Sequence, residues 1–308
     1  MSNVSFVSCF YDRLFDTRFQ GRLNRGTQYA YSLGQMLQMD VPFYCYTDYS
    51  NFLTFAPAMF YHGKGKTRFF NFNLEDSPYH EDFERVRQSD PKLYIEGISW
   101  RQRCLEIMWG KFDFIMHAAE QVGLDTDEYL YWIDAGLSHD GIISPRYNSS
   151  NPAEFPNAAK KYQMTHANDL IFNPAFPNML RNYTGEGKLL YLMTRGPQHS
   201  DPMPLPKIPK KFGGTVIGGL FGGPVKMMYE LAAEGAQCCR EILEHNALVK
   251  EEDILTYILT RRCTNDPEYL NEKAKIFTFE TWYHDGWPSY RPEQIGFSDL
   301  FKDIGINA

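Results

Sequence analysis

The chain has little that would tie it to a membrane, a nucleic acid or a disulfide scaffold. No stretch approaches the roughly 18 consecutive apolar residues of a spanning helix, and the N-terminus shows no basic segment leading into a long apolar core. The sequence therefore reads as cytosolic, with peripheral attachment to a membrane left open. Basic runs are missing as well: Lys and Arg total 31 against 38 Asp and Glu, a formal charge of -7. Nucleic acid is excluded as an expected partner, because affinity for a phosphate backbone comes from clustered cations. Cysteine is sparse, with six residues and no C-x-x-C spacing, so neither a zinc site nor a disulfide framework is indicated and buried thiols are expected. No internal repeat or low-complexity segment is present.

What remains is the balance of an ordinary globular protein: 308 residues, 43% hydrophobic and 22% charged, with a high aromatic share of 16%. Those aromatics suit a packed core, or equally a surface that stacks sugars. The run from Val4 to Phe10, a helical stretch from Thr27 to Met39 and a second run from Val41 to Thr47 predict a strand, a helix and a strand, the unit of a parallel sheet. Thr67 to Phe72 is a candidate third strand. From Trp100 to Gln121 apolar residues recur at helical spacing (Leu105, Met108, Trp109, Phe112, Ile115, Met116, Ala119), and Tyr129 to Ile133 is a buried central strand by its length and continuity. Between Asn148 and Lys210 the texture turns rich in Pro, Asn and Lys, which reads as irregular insertions serving as a lid. Helices over Val225 to Glu244 and Glu251 to Arg262 follow, then a strand-like Ile276 to Phe279. The expected class is α/β, a mixed and mostly parallel sheet with helices on both faces. It would form one domain with a nucleotide-binding half at about 1–147, acceptor and lid insertions at about 148–212, and a catalytic and acceptor part at about 213–308.

In a parallel sheet, ligands arrive at the carboxyl ends of the strands. Asp134 stands there, after Ile133, and the small Ala135 and Gly136 let a ligand approach the backbone. An aspartate that merely caps the next turn is the other reading of the same position. Arg13 and Arg18, after the first strand, are placed to meet phosphates, with Arg22 and Arg25 behind them, although solvated surface is the common fate of such residues.

Trp109-Gly-Lys111 together with Tyr131-Trp-Ile-Asp-Ala-Gly136 resembles the HtrL/YibB-like family of bacterial glycosyltransferases, within the wider GT-A class. In several GT-A families a helix with W-x-K precedes a strand ending in W-x-D-x-D. The resemblance implies a glycosyltransferase that moves a sugar from a nucleoside-diphosphate donor to a hydroxyl of a glycan or other acceptor, with Mn²⁺ or Mg²⁺ as cofactor. It assigns Asp134 to the metal, Lys111 to the donor phosphates and Asp48 to the nucleoside. The second acid of the motif falls on Gly136; His139 and Asp140 lie just beyond it. Asp125-Thr-Asp127 matches D-x-D literally but precedes the strand, at the wrong end of the sheet.

Gly218 to Gly223 is similar to the glycine-rich segment of GT-A enzymes that lies against the donor sugar or the acceptor, which gives Gly218 and Gly219 a donor-binding role. A tight strand-turn-helix packing site is the plainer alternative. Glu251, Glu252 and Asp253 open the following helix, where carboxylates already favour the helix dipole. The resemblance makes one of them the catalytic carboxylate. By the same likeness His284, between Trp282 and Trp287, would complete the metal sphere. A sugar nucleotidyltransferase and a non-catalytic glycan- or nucleotide-binding protein on the same fold are the alternatives. Oligomeric state is not legible.

Overall fold

The computed structural model describes residues 3–11, 33, 36, 37, 39–49, 52, 66–89, 99–135, 175–193 and 216–278. Among the described residues seven strands form one sheet: β1 (Val4–Cys9), β2 (Phe43–Thr47), β3 (Thr67–Asn71), β4 (Tyr129–Ile133), β5 (Leu189–Met193), β6 (Val216–Pro224) and β7 (Ala274–Thr278). Their order is β3-β2-β1-β4-β6-β5-β7. β1 pairs in parallel with β2 and β4, β2 with β3, and β5 with β7, whereas β6 is antiparallel to both β4 and β5. Only β6 among these strands runs against the others, which makes the sheet mixed and mostly parallel.

The α-helices whose bounds fall within the described residues are α1 (His80–Ser89), α2 (Ser99–Val122), α3 (Phe176–Thr184), α4 (Val225–Glu244), α5 (Glu251–Asn265) and the short α6 (Tyr269–Glu272). Strand alternation divides the core in two. Leu130 and Trp132 of β4 join Val7, Tyr44, Tyr46 and Tyr191 on the face packed by α2, α4 and α5, through Trp109, Phe112, Ile115, Leu231, Ala232, Ile254 and Ile258. Tyr129, Tyr131 and Ile133 share the opposite face with Phe6, Phe43, Leu190 and Leu192, packed by Phe176 and Leu180 of α3 and by Leu33, Met36 and Leu37. Both faces of the sheet are thus covered, as the near-continuous apolar strands require.

The structure follows the sequence at β2, β4 and the helices α2, α4 and α5, and departs from it between 148 and 210. That stretch is not irregular throughout: it contributes α3, with Pro177 in its first turn, and β5, whose five residues are all buried. β5 lies inside the sheet, between β6 and β7. The glycine-rich run is likewise no turn, because Gly218 to Gly223 lie within β6. Cys9, Cys45, Cys238, Cys239 and Cys263 are buried free thiols.

Candidate functional site

On β4, side chains 130 and 132 face α2, and the same alternation sends Asp134 to that side as the strand ends. Lys111 of α2 comes up to meet it. The lysine is 4% exposed, and its Nζ lies 3.0 Å from Asp134 Oδ1 and 2.6 Å from Glu251 Oε1. It also donates to the carbonyl of Gly218 at 3.1 Å. Three acceptors thus surround an ammonium with three N–H bonds. Trp132 completes the group: its Nε1 donates to Asp134 Oδ1 at 2.8 Å, and Lys111 Nζ stands 5.1 Å from the centre of its ring. Burial works to lower the lysine's pKa, but Asp134 and Glu251 together raise it, so the charge is held firmly.

Two backbone features place these side chains. The β5–β6 pairing is irregular: Tyr191 faces Phe221 and Met193 faces Val216, so β6 bulges over the residues between. Gly218 sits in that bulge. A Cβ there would lie 2.4 Å from Glu251 Oε1 and 3.2 Å from Lys111 Nζ, and so the buried ion pair occupies the space a side chain would fill. The Gly218 N–H donates to Glu252 Oε1 at 3.3 Å, while Gly219 O accepts the Asp134 N–H at 2.8 Å and carries the β4–β6 ladder past the strand end. The second feature is Trp109, which is fully buried and donates its indole N–H to Val249 O at 2.9 Å. Two residues further along each segment come Lys111 and Glu251. Trp109 of the W-x-K pattern thereby acts as an anchor that holds the start of α5 against α2.

The three acids that open α5 differ. Glu251 is 2% exposed and spends Oε1 on Lys111; its Oε2 is buried without a hydrogen-bond partner. Glu252 is partly exposed. Burial, and then the charge of Glu251, push its pKa up to about 7 against the pull of Lys250, the Gly218 N–H and Lys111. Asp253 turns back to accept the Lys250 N–H at 3.3 Å, half of a capping box, and is not brought to Lys111.

No protein-family model and no curated protein matches the chain. Among solved structures it is similar to mouse xyloside xylosyltransferase 1 in its apo form, at 9% sequence identity and a TM-score of 0.38, with 99% of this chain and 94% of that chain covered.

Asp48 follows β2 and is 3% exposed. Cys9 is opposite Tyr46, and Val7 is opposite both Tyr44 and Trp132, so Asp134 is level with Tyr46. Asp48 thus lies on the same carboxyl edge, two strands or about 10 Å across the sheet. The strand ends around it are tied: Thr47 Oγ1 donates to Phe10 O at 2.7 Å and the Phe52 N–H to Asp48 O at 2.9 Å. Ala135 is buried next to Asp134. Arg13, Gly136 and His284 lie outside the described residues, as do Arg18, Arg22, Arg25, His139, Asp140, Trp282 and Trp287. Asp125 and Asp127 stand in an exposed turn before β4, at the end of the sheet away from Asp134. Two relationships in the site are not legible in the sequence. The hydrogen bond from Trp132 to Asp134 does not follow from its place in a buried strand and the quoted motif, and the pairing of Lys111 with Glu251 carries no signature, since 140 residues separate them.

The group suits a divalent cation on electrostatic grounds. Two carboxylates, Asp134 and Glu251, meet one ammonium with Glu252 alongside on the Gly218 N–H; Asp134 is 37% exposed, and its Oδ1 is held by two donors, as a ligating carboxylate usually is. Among the described residues no three His, Cys, Asp or Glu side chains form a ready-made cage. Asp134 would therefore be one ligand among others supplied by substrate and water. No helix among the described residues is long and apolar enough to cross a membrane.

Proposed function

We propose that this chain is a glycosyltransferase of the HtrL/YibB-like, GT-A type, moving a sugar from a nucleoside diphosphate to a hydroxyl acceptor. The observation that carries the reading is the convergence of Asp134 and Glu251 on Lys111 at the carboxyl edge of the parallel strands, with Glu252 beside them on the Gly218 N–H. The four segments quoted for the GT-A resemblance, around Trp109, Trp132, Gly218 and Glu251, meet at this one point.

In this reading Asp134 would hold Mn²⁺ or Mg²⁺, and the cation would supply charge to offset that growing on the departing diphosphate. Lys111 does not reach the phosphates directly, because its N–H bonds go to Asp134, Glu251 and Gly218 O; it fixes Asp134 instead. Glu252 faces the reacting centre. As the bond from the anomeric carbon to the diphosphate oxygen breaks and the acceptor oxygen bonds to that carbon, the acceptor's proton passes to Glu252, whose pKa near 7 suits a base at neutral pH. Asp48 lies toward the nucleoside.

The test is a screen of nucleoside diphosphates and their sugars for thermal stabilisation, with and without Mn²⁺, followed by donor turnover. A metal-dependent rise for one nucleotide that disappears in Asp134→Asn, with turnover lost in Glu252→Gln, supports the enzyme. Stabilisation without any transfer or donor hydrolysis would leave a binding protein on this fold. No stabilisation by any nucleotide would sink the reading.

A further inference from the structure

Trp132 occupies a fully buried strand position that any large apolar residue could fill, yet it carries an N–H that needs an acceptor once out of water. The acceptor it uses is neither a backbone carbonyl nor a core hydroxyl but Oδ1 of Asp134, at 2.8 Å. Lys111 Nζ approaches the same oxygen at 3.0 Å, and stands over the ring of the same tryptophan at 5.1 Å. Were Asp134 present only to satisfy the indole, a neutral or enclosed acceptor would serve. Asp134 instead keeps a carboxylate 37% exposed at the ligand edge of the sheet, solvated and open to a ligand while its Oδ1 is committed to two donors.

We infer that Trp132 is a positioning residue for Asp134: with Lys111 it commits Oδ1, so that the second carboxylate oxygen faces outward in one orientation to receive a cation. The inference rests on the glycosyltransferase reading of the site and adds to it a residue that touches neither cation nor sugar. Glu251 stands one step behind, fixing Lys111, and Trp109 fixes Glu251 through Val249. The result is a layered support of the kind that orients ligating carboxylates, where loss of one outer partner weakens metal affinity about 10- to 100-fold.

The experiment is Trp132→Phe, which keeps an aromatic ring beneath Lys111 and removes only the donor. Mn²⁺ affinity is measured by titration calorimetry in the presence of a saturating nucleoside diphosphate, alongside metal-dependent KM and kcat. The expected outcome is a Mn²⁺ Kd weakened about tenfold or more, with a higher KM for metal, a kcat at saturating metal within a few-fold of wild type, and unchanged nucleotide affinity in chelator. Equal Mn²⁺ affinity in wild type and variant overturns the positioning role and leaves the parent reading standing. Failure of the wild type to bind any divalent cation with any nucleoside diphosphate overturns both.

If the phenylalanine variant does not fold, the wild-type protein answers by NMR. The indole N–H resonance of Trp132 should move when Mg²⁺ and nucleotide are added together, and should not move in Asp134→Asn. A resonance indifferent to Mg²⁺ in a protein shown to bind it overturns the inference.

Discussion

Lys111 and Glu251, 140 residues apart in sequence, form an ion pair of 2.6 Å with both side chains at most 5% exposed. Removing one partner leaves the other as an uncompensated buried charge, which costs roughly 3–5 kcal/mol. Lys111→Met should therefore destabilise more than any exposed lysine substitution, because it strands Glu251 and also removes a partner of Asp134. The double variant Lys111→Met with Glu251→Leu should recover part of the loss, measured by urea unfolding as a coupling between the two sites. Additive losses would mean that the pair does not act as a unit.

Gly218→Ala tests the bulge of β6. The new methyl would meet Glu251 Oε1 at 2.4 Å, and that oxygen cannot swing away without leaving Lys111. Overpacking of this kind costs about 1–3 kcal/mol. Transfer activity should fall further than stability does, because the displaced group supports Asp134. An alanine variant with wild-type unfolding midpoint and wild-type activity would show that the contact is slack.

Much of this fold was legible because its elements carry their own period. The helical spacing from Leu105 to Ala119 and the closed apolar run from Tyr129 to Ile133 each admit one reading, and Asp134 follows from the second. β5 was missed although Leu189 to Met193 is as continuous a run as β4, because the surrounding Pro- and Asn-rich texture outweighed five residues. Gly218 to Gly223 left two readings open, a backbone lying against a ligand and a tight packing site. At Gly222 the packing reading holds, because glycine lets β6 lie close against β4: a Cβ there would meet the Tyr131 ring and the Leu130 carbonyl oxygen. Nothing in the sequence tells that Lys111 is buried, since that depends on a helix start 140 residues away.

Asp253 and Glu252 are neighbours whose sequence context does not separate them, and the structure gives them opposite consequences. Asp253→Ala removes an acceptor for the Lys250 N–H and should cost about 0.5–2 kcal/mol of stability, with kcat within a few-fold of wild type. Glu252→Gln should leave the fold nearly intact and reduce transfer at least a hundredfold, as loss of a proton-transfer group does. The pair is compared by chemical unfolding and by turnover on the same preparations. Loss of turnover in the Asp253 variant at unchanged stability would reverse the assignment.

Stability should fall as pH rises through the weakly acidic range, the reverse of what salt-bridged carboxylates produce. Asp113 is pushed up to about 7, chiefly by burial and against Arg240 and the Tyr79 hydroxyl, and its Oδ2 is buried without a hydrogen-bond partner. Glu252 is also raised to about 7, chiefly by burial. Each group binds its proton more tightly in the folded chain than in the unfolded one, where carboxylates titrate near 4. Between about pH 4 and 7 the native state therefore holds more protons, the slope of unfolding free energy with pH is negative, and each group contributes at most about 1.4 kcal/mol per pH unit. The contribution is fully present below the unfolded pKa and is gone once pH passes the folded one. His80, raised chiefly by its hydrogen bond to Glu106, adds the same sign above its ordinary value of 6.5. Urea unfolding at intervals from pH 4.5 to 8 should show the decline, and Asp113→Asn should flatten it without touching the candidate site. A wild-type stability that climbs from pH 5 to 7.5 would mean that these carboxyls are solvated in the folded protein.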